Sequence, residues 1–346
     1  MPVHRLLALI LVGFSVLSTL IGILRPLPAP DPATAPPSGI SVPGLVANRG
    51  NRLLVLNLEG AIRSGDPSFS GAGVIRRRLV SAAKNEAVKG VLLTINSPGG
   101  TVPASQELYR AIQAVHQAGK PVVVSMGDVA ASGGYYTASA ADLIYANPGT
   151  LTGSIGVIIS GFNAEELLKN VGIQSQTIKT GTFKDILSFT RPITLAEREL
   201  LQGLVEDSLD QFIGDIVQGR QQTPVSQTTL EALIDPDTLT RRQSLDYASV
   251  KALADGRIFT GRQALAVGLV DDLGGYEEAL AALRQLVGDA DAKLPISGEA
   301  PGLDRFLDLL QQSQAEGRLA LPAPNALVSQ VAAQFLTEHA QVPGLR

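Results

Sequence analysis

Four short apolar runs break off at residues that turn the backbone: RLLVLNLEG (52–60), VKGVLLTINS (88–97), KPVVVSMG (120–127) and DLIYANP (142–148). Runs this short, rich in Val, Leu and Ile and with little polar alternation, read as strands covered on both faces. A fifth stretch, IQSQTIKTG (173–181), is bounded by turn residues and is also expected as a strand. Helical patterns lie between these runs. SQELYRAIQAVHQ places Leu108, Ala111, Ile112 and Val115 on one stripe, with His116 at its edge, and NAEELLKNVG stops at Gly172. The longest pattern follows Thr194, which forms a capping-box pair with Glu197, and carries Leu201, Leu204, Val205, Leu209, Phe212, Ile213 and Ile216 at helical spacing. Strands that alternate with helices and need cover on both sides imply an α/β fold around a largely parallel sheet.

Composition narrows the chemistry. A net charge of −4 with no Lys/Arg run leaves no basic field for a phosphate backbone, so nucleic acid is not an expected partner. The chain has no cysteine, which removes disulfides, thiol nucleophiles and cysteine metal sites together. Three histidines, His4, His116 and His339, are too few and too scattered for a histidine metal site, so no metal or cofactor is expected. A serine–histidine–aspartate triad would have to use His116, which its helical stripe places at the core edge.

The ends differ from the body. Leu6 to Leu24 is free of charge for 19 residues, roughly 28 Å as a helix and enough to span a bilayer. A cleaved signal peptide is the competing reading, but the length favours a retained anchor over residues 1–25. One arginine flanks each side, so charge does not set the orientation. Residues 26–50 hold seven prolines and read as an extended spacer. The body spans 51–288, and 289–346, rich in Pro, Gln and Ala, reads as a peripheral extension.

Two glycine-rich turns follow apolar runs: INSPGGTV (95–102) and GDVAASGGYYTASAAD (127–142). At the ends of parallel strands they would meet at the carboxyl edge of the sheet, where open α/β sheets bind ligands. Ser132 would then stand at a strand-to-helix turn whose free N–H groups can receive an oxyanion. Gly99 and Gly100 could add donors or pair with an extended peptide. From spacing alone, plain N-capping and close helix packing for Ser132, and a β-turn at Pro98-Gly99, are the favoured accounts of these residues. A serine nucleophile also needs a base. A lysine can serve when neutral, but at its ordinary pKa only about one in a few thousand is neutral at pH 7, and lowering it by ~3 units takes about 4 kcal/mol. Of eight lysines, Lys184 in TGTFKDILS has the most apolar flanks, although Asp185 beside it favours the charged form.

GDVAASGGYYTASAADLIYANPGTLTGSIGVI, then TIKTGTFKDILS, then GRIFTGRQALAVGLVDDLGG closely resemble the bacterial signal peptide peptidases. Those are membrane-bound serine–lysine peptidases with a fold like the Clp protease subunit and the crotonases. The resemblance covers roughly residues 50–285 and fits the short, single-domain form. It implies Ser132 as nucleophile, Lys184 as general base, Ser154 in TGSIGV as the residue orienting the lysine, and Gly133 as oxyanion donor. Gly99 and Gly100 would line the peptide groove. It further implies a single-pass protein of the cell (inner) membrane with its catalytic domain on the extracytoplasmic side. Its substrates would be signal peptides, and it would form a homo-oligomer whose active sites are shared between protomers. The segment ending GLVDDLGG, with Asp271, is expected to supply turns and no chemistry. A crotonase-like acyl-CoA enzyme and a non-catalytic membrane scaffold are the alternatives on the same fold.

Overall fold

A computed structural model describes residues 50–65, 70–221 and 225–298. Its sheet is built on β1 (Arg52–Glu59), β2 (Val88–Ser97) and β3 (Val122–Ala131), all parallel. Helix α1 (Ala72–Lys84) links the first two, and α2 (Val102–Gln117) links the second pair. Successive side chains of a strand point to opposite faces, so each strand feeds two cores. Leu54, Leu56, Val91, Leu93, Val122 and Val124 pack under α1 and α2, whereas Leu53, Val55, Leu92 and Val123 face the other side. That second face is covered by α10 (Tyr276–Leu286), through Ala279, Ala282 and Leu283. Continuous apolar runs therefore reflect helices on both faces.

β3 runs on to Ala131, beyond the apolar run that announced it, and it divides the sheet. Its first half pairs with β4 (Leu143–Ala146) and its second with β5 (Leu151–Gly153), both parallel. The register against β2 shifts between Ile95 and Ser97, at the point where Gly127 packs on Asn96. β6 (Ile258–Thr260) closes one edge antiparallel to β5, and β7 (Asp272–Leu273) pairs with β4. At the other edge β8 (Ile296–Ser297) adds to β1, although it lies past the expected boundary at residue 288.

The remaining helices are α3 (Gly133–Ala138), α4 (Glu165–Asn170), α5 (Leu195–Gln221), α6 (Gln227–Leu233), α7 (Pro236–Gln243), α8 (Tyr247–Leu253) and α9 (Gly261–Ala266). The Thr194–Glu197 capping box forms in both directions: Thr194 N–H donates to Glu197 Oε2 at 2.9 Å and Glu197 N–H to Thr194 Oγ1 at 3.2 Å. The α5 stripe divides. Phe212, Ile213 and Ile216 are buried, while Leu204 and its neighbour Leu200 are exposed. Residues 173–181 form no strand and are exposed throughout. The β5 edge is taken by β6, and Ile173 and Ile178 pair with no strand.

Asp271 does more than turn the chain. Its carboxylate, 1% exposed, accepts from Arg220 at 2.6 and 3.0 Å, from Arg242 at 3.1 Å and from the Ile144 N–H at 2.7 Å. Arg242 also donates to the carbonyls of Arg220 and Asp142, which joins α5, α7, the start of β4 and the bend before β7. Burial pushes the Asp271 carboxyl up, but the two guanidinium groups outweigh it and hold the group below its ordinary value. His116 sits at the core edge as expected, its Nε2 2.9 Å from buried Asp142 Oδ2.

No helix among the described residues is long and apolar enough to cross a membrane. The expected anchor and spacer, residues 1–49, lie outside the described residues, as do residues 299–346 of the expected extension.

Asp271→Asn leaves two buried guanidinium groups facing a neutral amide and is expected to cost about 3–5 kcal/mol, read as a lower urea midpoint at pH 7. Because folding depresses the Asp271 pKa, its contribution is complete above the unfolded value of about 3.9 and is lost as pH falls through the folded one. The difference between wild type and variant should therefore close in acid.

Candidate active site

Three strand ends meet at the carboxyl edge of the sheet. β2 ends at Ser97 and turns through Pro98, Gly99 and Gly100 into α2. β3 ends at Ala131 and passes through Ser132 into α3, and β5 ends at Gly153 followed by Ser154. The β3–β5 register sets Ala131 opposite Gly153, and the Ser132 N–H donates to the Gly153 carbonyl at 2.8 Å. Ser132 and Ser154 are thus side by side, both half-buried.

Both serines have left-handed backbone, with φ of 52° at Ser132 and 48° at Ser154. An L-residue held there costs about 1–3 kcal/mol, which the surrounding structure must supply. At Ser132 the constraint comes from the Gly153 bond behind it and from α3 in front, where the Tyr136 N–H reaches the Ser132 carbonyl at 2.8 Å. The result is a sharp elbow with the serine at its apex and Gly133 as the first helical residue. The Gly133 N–H has no carbonyl four residues back inside the helix and faces outward.

The Gly99–Gly100 turn packs directly on this elbow. A Cβ on Gly99, whose φ is +99°, would stand 2.7 Å from the Gly133 nitrogen and 2.8 Å from Ser132 Cβ. One on Gly133 would meet Ser105 Oγ at 2.3 Å and the Gly100 nitrogen at 3.1 Å. Both positions need glycine because two backbones touch. The Gly99 N–H is taken by Ser97 Oγ at 3.1 Å. A short parallel bridge to Ile62 uses the Gly99 carbonyl and the Thr101 N–H, so the Gly100 N–H takes no part in it. The Gly100 nitrogen lies against Gly133, the residue that follows Ser132.

Lys184 stands apart. It lies in an exposed turn, its N–H 3.4 Å from the Gly181 carbonyl, and among the described residues nothing bonds its amine. No hydrogen bond joins it to Ser132 or Ser154. The surrounding stretch exposes large apolar side chains: Ile158 is 87% and Phe162 91% exposed, and Ile178, Phe183, Phe189 and Leu195 are also exposed. The structure brings Ser132, Ser154, Gly133, Gly99 and Gly100 together within one chain and leaves Lys184 outside. Among the described residues there is no group of three or more His, Cys, Asp or Glu able to hold a metal.

Sequence reasoning missed what surrounds Lys184. Asp185 bonds Arg191 and Lys179, and Arg191 also bonds Glu197. The spacing Asp185…Arg191…Glu197, six residues at each step, was the available signal.

Two family patterns match the chain. Peptidase family S49 matches residues 114–233 and 236–289, together about half of the chain and including Ser132, Ser154 and Lys184. The Clp protease pattern matches residues 68–148, in keeping with the parallel sheet. A Synechocystis sp. protein described as a protease is 41% identical over 227 residues, 65% of this chain and 70% of that one. An Enterococcus faecium protein described as a signal peptide peptidase is 36% identical over 60% of this chain and 54% of its own length. The chloroplastic serine protease SPPA of Arabidopsis thaliana is 32% identical over 70% of this chain, which spans 33% of it.

The elbow makes two stability predictions. In thermal unfolding Ser132→Gly should be at least as stable as Ser132→Ala, although glycine ordinarily costs about 0.5–1 kcal/mol relative to alanine in regular structure. Gly100→Ala puts a Cβ 1.9 Å from the Ile62 carbonyl oxygen and should lower stability by about 1–3 kcal/mol.

Proposed function

The chain belongs to peptidase family S49 and is a serine peptidase, and on that premise we propose that it is a membrane-anchored endopeptidase acting on released signal peptides and similar hydrophobic peptides. The observation that carries the reading is the Ser132 elbow. A strained, half-buried serine lies at the mouth of a helix, flanked by two backbone N–H groups that secondary structure does not consume.

In the proposed reaction Ser132 Oγ attacks the scissile carbonyl carbon while the neutral Lys184 amine takes its proton. The tetrahedral oxyanion is received by the Gly133 N–H, with the Gly100 N–H as second donor. Lys184 then protonates the leaving amine, and water, deprotonated by the same lysine, releases the acyl group from Ser132. Ser154, beside Ser132 at the end of β5, orients the lysine. The glycine turn offers an extended groove to the peptide, and the pocket at the cleavage point takes small or aliphatic side chains.

The lysine comes from a neighbouring copy of the chain. Lys184 has no partner in its own protomer among the described residues, and the apolar side chains around it are too exposed for a chain that stays alone in water. A homo-oligomer that buries this stretch would carry Lys184 to the next protomer's Ser132 and lower its pKa by removing water. Residues 6–24 anchor the assembly in the cell membrane, with the catalytic domains on the extracytoplasmic side.

Ser132→Ala and Lys184→Ala should each abolish cleavage of a hydrophobic fluorogenic peptide, a loss of at least about a thousandfold, while the oligomer measured by light scattering persists. Labelling of wild type by a serine-reactive phosphonate should map to Ser132 in a peptide digest. Modification elsewhere, or normal cleavage by Lys184→Ala, would sink the dyad. Mixing the two inactive variants should restore part of the activity, since a mixed assembly regains intact Ser132–Lys184 pairs.

A further inference from the structure

Asp185 poses a difficulty for the reading of Lys184 as the base, on which this inference rests. A carboxylate next to an amine favours the charged amine, and a charged lysine takes no proton. The structure gives that carboxylate other partners. Arg191 Nε donates to Asp185 Oδ2 at 2.9 Å and Nη2 to Oδ1 at 2.8 Å, a planar two-pronged grip. Lys179 Nζ donates to the same Oδ1 at 2.5 Å and to the Thr182 carbonyl at 3.0 Å. Both Asp185 oxygens are thereby engaged by groups other than the lysine amine. The Arg191 and Lys179 bonds hold the Asp185 carboxyl well below the usual carboxylate range, so it stays a committed anion.

The other edge of the same guanidinium grips Glu197, with Nη1 2.9 Å from Oε2. Glu197 is 1% exposed and closes the capping box with Thr194 at the start of α5. The Arg191 and Thr194 bonds lower its carboxyl to about 2. Arg191 thus bridges the turn that carries Lys184 and the first turn of the longest helix. The charged groups on the turn are Lys179, Lys184, Asp185 and Arg191, and the first turn of α5 adds Glu197, Arg198 and Glu199; on nearby α4 Glu165 pairs with Lys169, next to Glu166.

We propose that Arg191 is a positioning residue for Lys184: it sequesters the Asp185 carboxylate and ties the lysine's turn to α5, presenting the amine with no adjacent carboxylate to pair with. Removing the guanidinium leaves Asp185 Oδ1 on Lys179 but frees Oδ2 to pair with Lys184, and the base then needs a higher pH to lose its proton.

The experiment is the pH profile of kcat/KM for a fluorogenic hydrophobic peptide, using the full-length protein. In Arg191→Met the acid limb should move up by about one pH unit, so kcat/KM on that limb falls about tenfold and recovers at high pH. Adding Asp185→Asn in the same chain should move the limb back down. Arg191→Lys keeps the charge facing Glu197 but cannot grip both carboxylates, and it should give an intermediate shift even if Arg191→Met fails to fold. A limb that stays put in the arginine variants, or a uniform loss at all pH that Asp185→Asn does not relieve, overturns the proposal. Lys184→Ala is measured alongside. If it is inactive and the limb is unmoved, the clamp alone is wrong, and if it is active the base assignment falls and the clamp with it.

Discussion

Every part of the site depends on the parallel register of β2 and β3. Two strands buried on both faces and hydrogen-bonded in one direction end on the same side of the sheet, so their exit turns must share space. In this chain they do so at close contact, with glycine at Gly99 and Gly133 where the two turns meet and at Gly100 where the first turn lies against Ile62. The division of β3 then brings β5 alongside, and the Ser132–Gly153 hydrogen bond sets the elbow. A change of register would separate Ser132 from its donors without altering any site residue.

The stability of this arrangement and its reactivity lie in different places. The body is held by two apolar layers and by the buried Arg220–Asp271–Arg242 group, which stitches helices to the sheet beneath α3. The stretch from Ile158 to Leu204 has few such ties and keeps its order through charge pairs around Arg191 and through the capped start of α5. Ion pairs can hold a turn's shape at an exposed surface where apolar contact is absent. They leave the apolar side chains there free to be covered by something else.

Much of the frame was legible because its signals are local. Runs of Val, Leu and Ile ending at turn residues announced β1 to β4, and the Thr194–Glu197 pair announced the start of α5. The segment 173–181 misled because turn-bounded β-branched residues become a strand only where another segment pairs with them, and none does here. Asp271 misled for the opposite reason. An Asp-Asp pair between glycines looks like a turn, and the arginine partners of Asp271 are fifty-one and twenty-nine residues away in the chain.

The sequence by itself determined the fold class, the layering of the sheet and the residue types from which a serine site can be made, since these follow from hydrophobic pattern and from motifs contiguous in the chain. Tertiary structure decided which of those residues meet. It set Ser132 beside Ser154 and the Gly100 N–H, spent the Gly99 N–H on Ser97, and left Lys184 outside with Asp185 turned onto Arg191. The physical reason is that hydrogen-bond direction and strand register are properties of paired segments, and no single stretch of sequence carries both members of the pair.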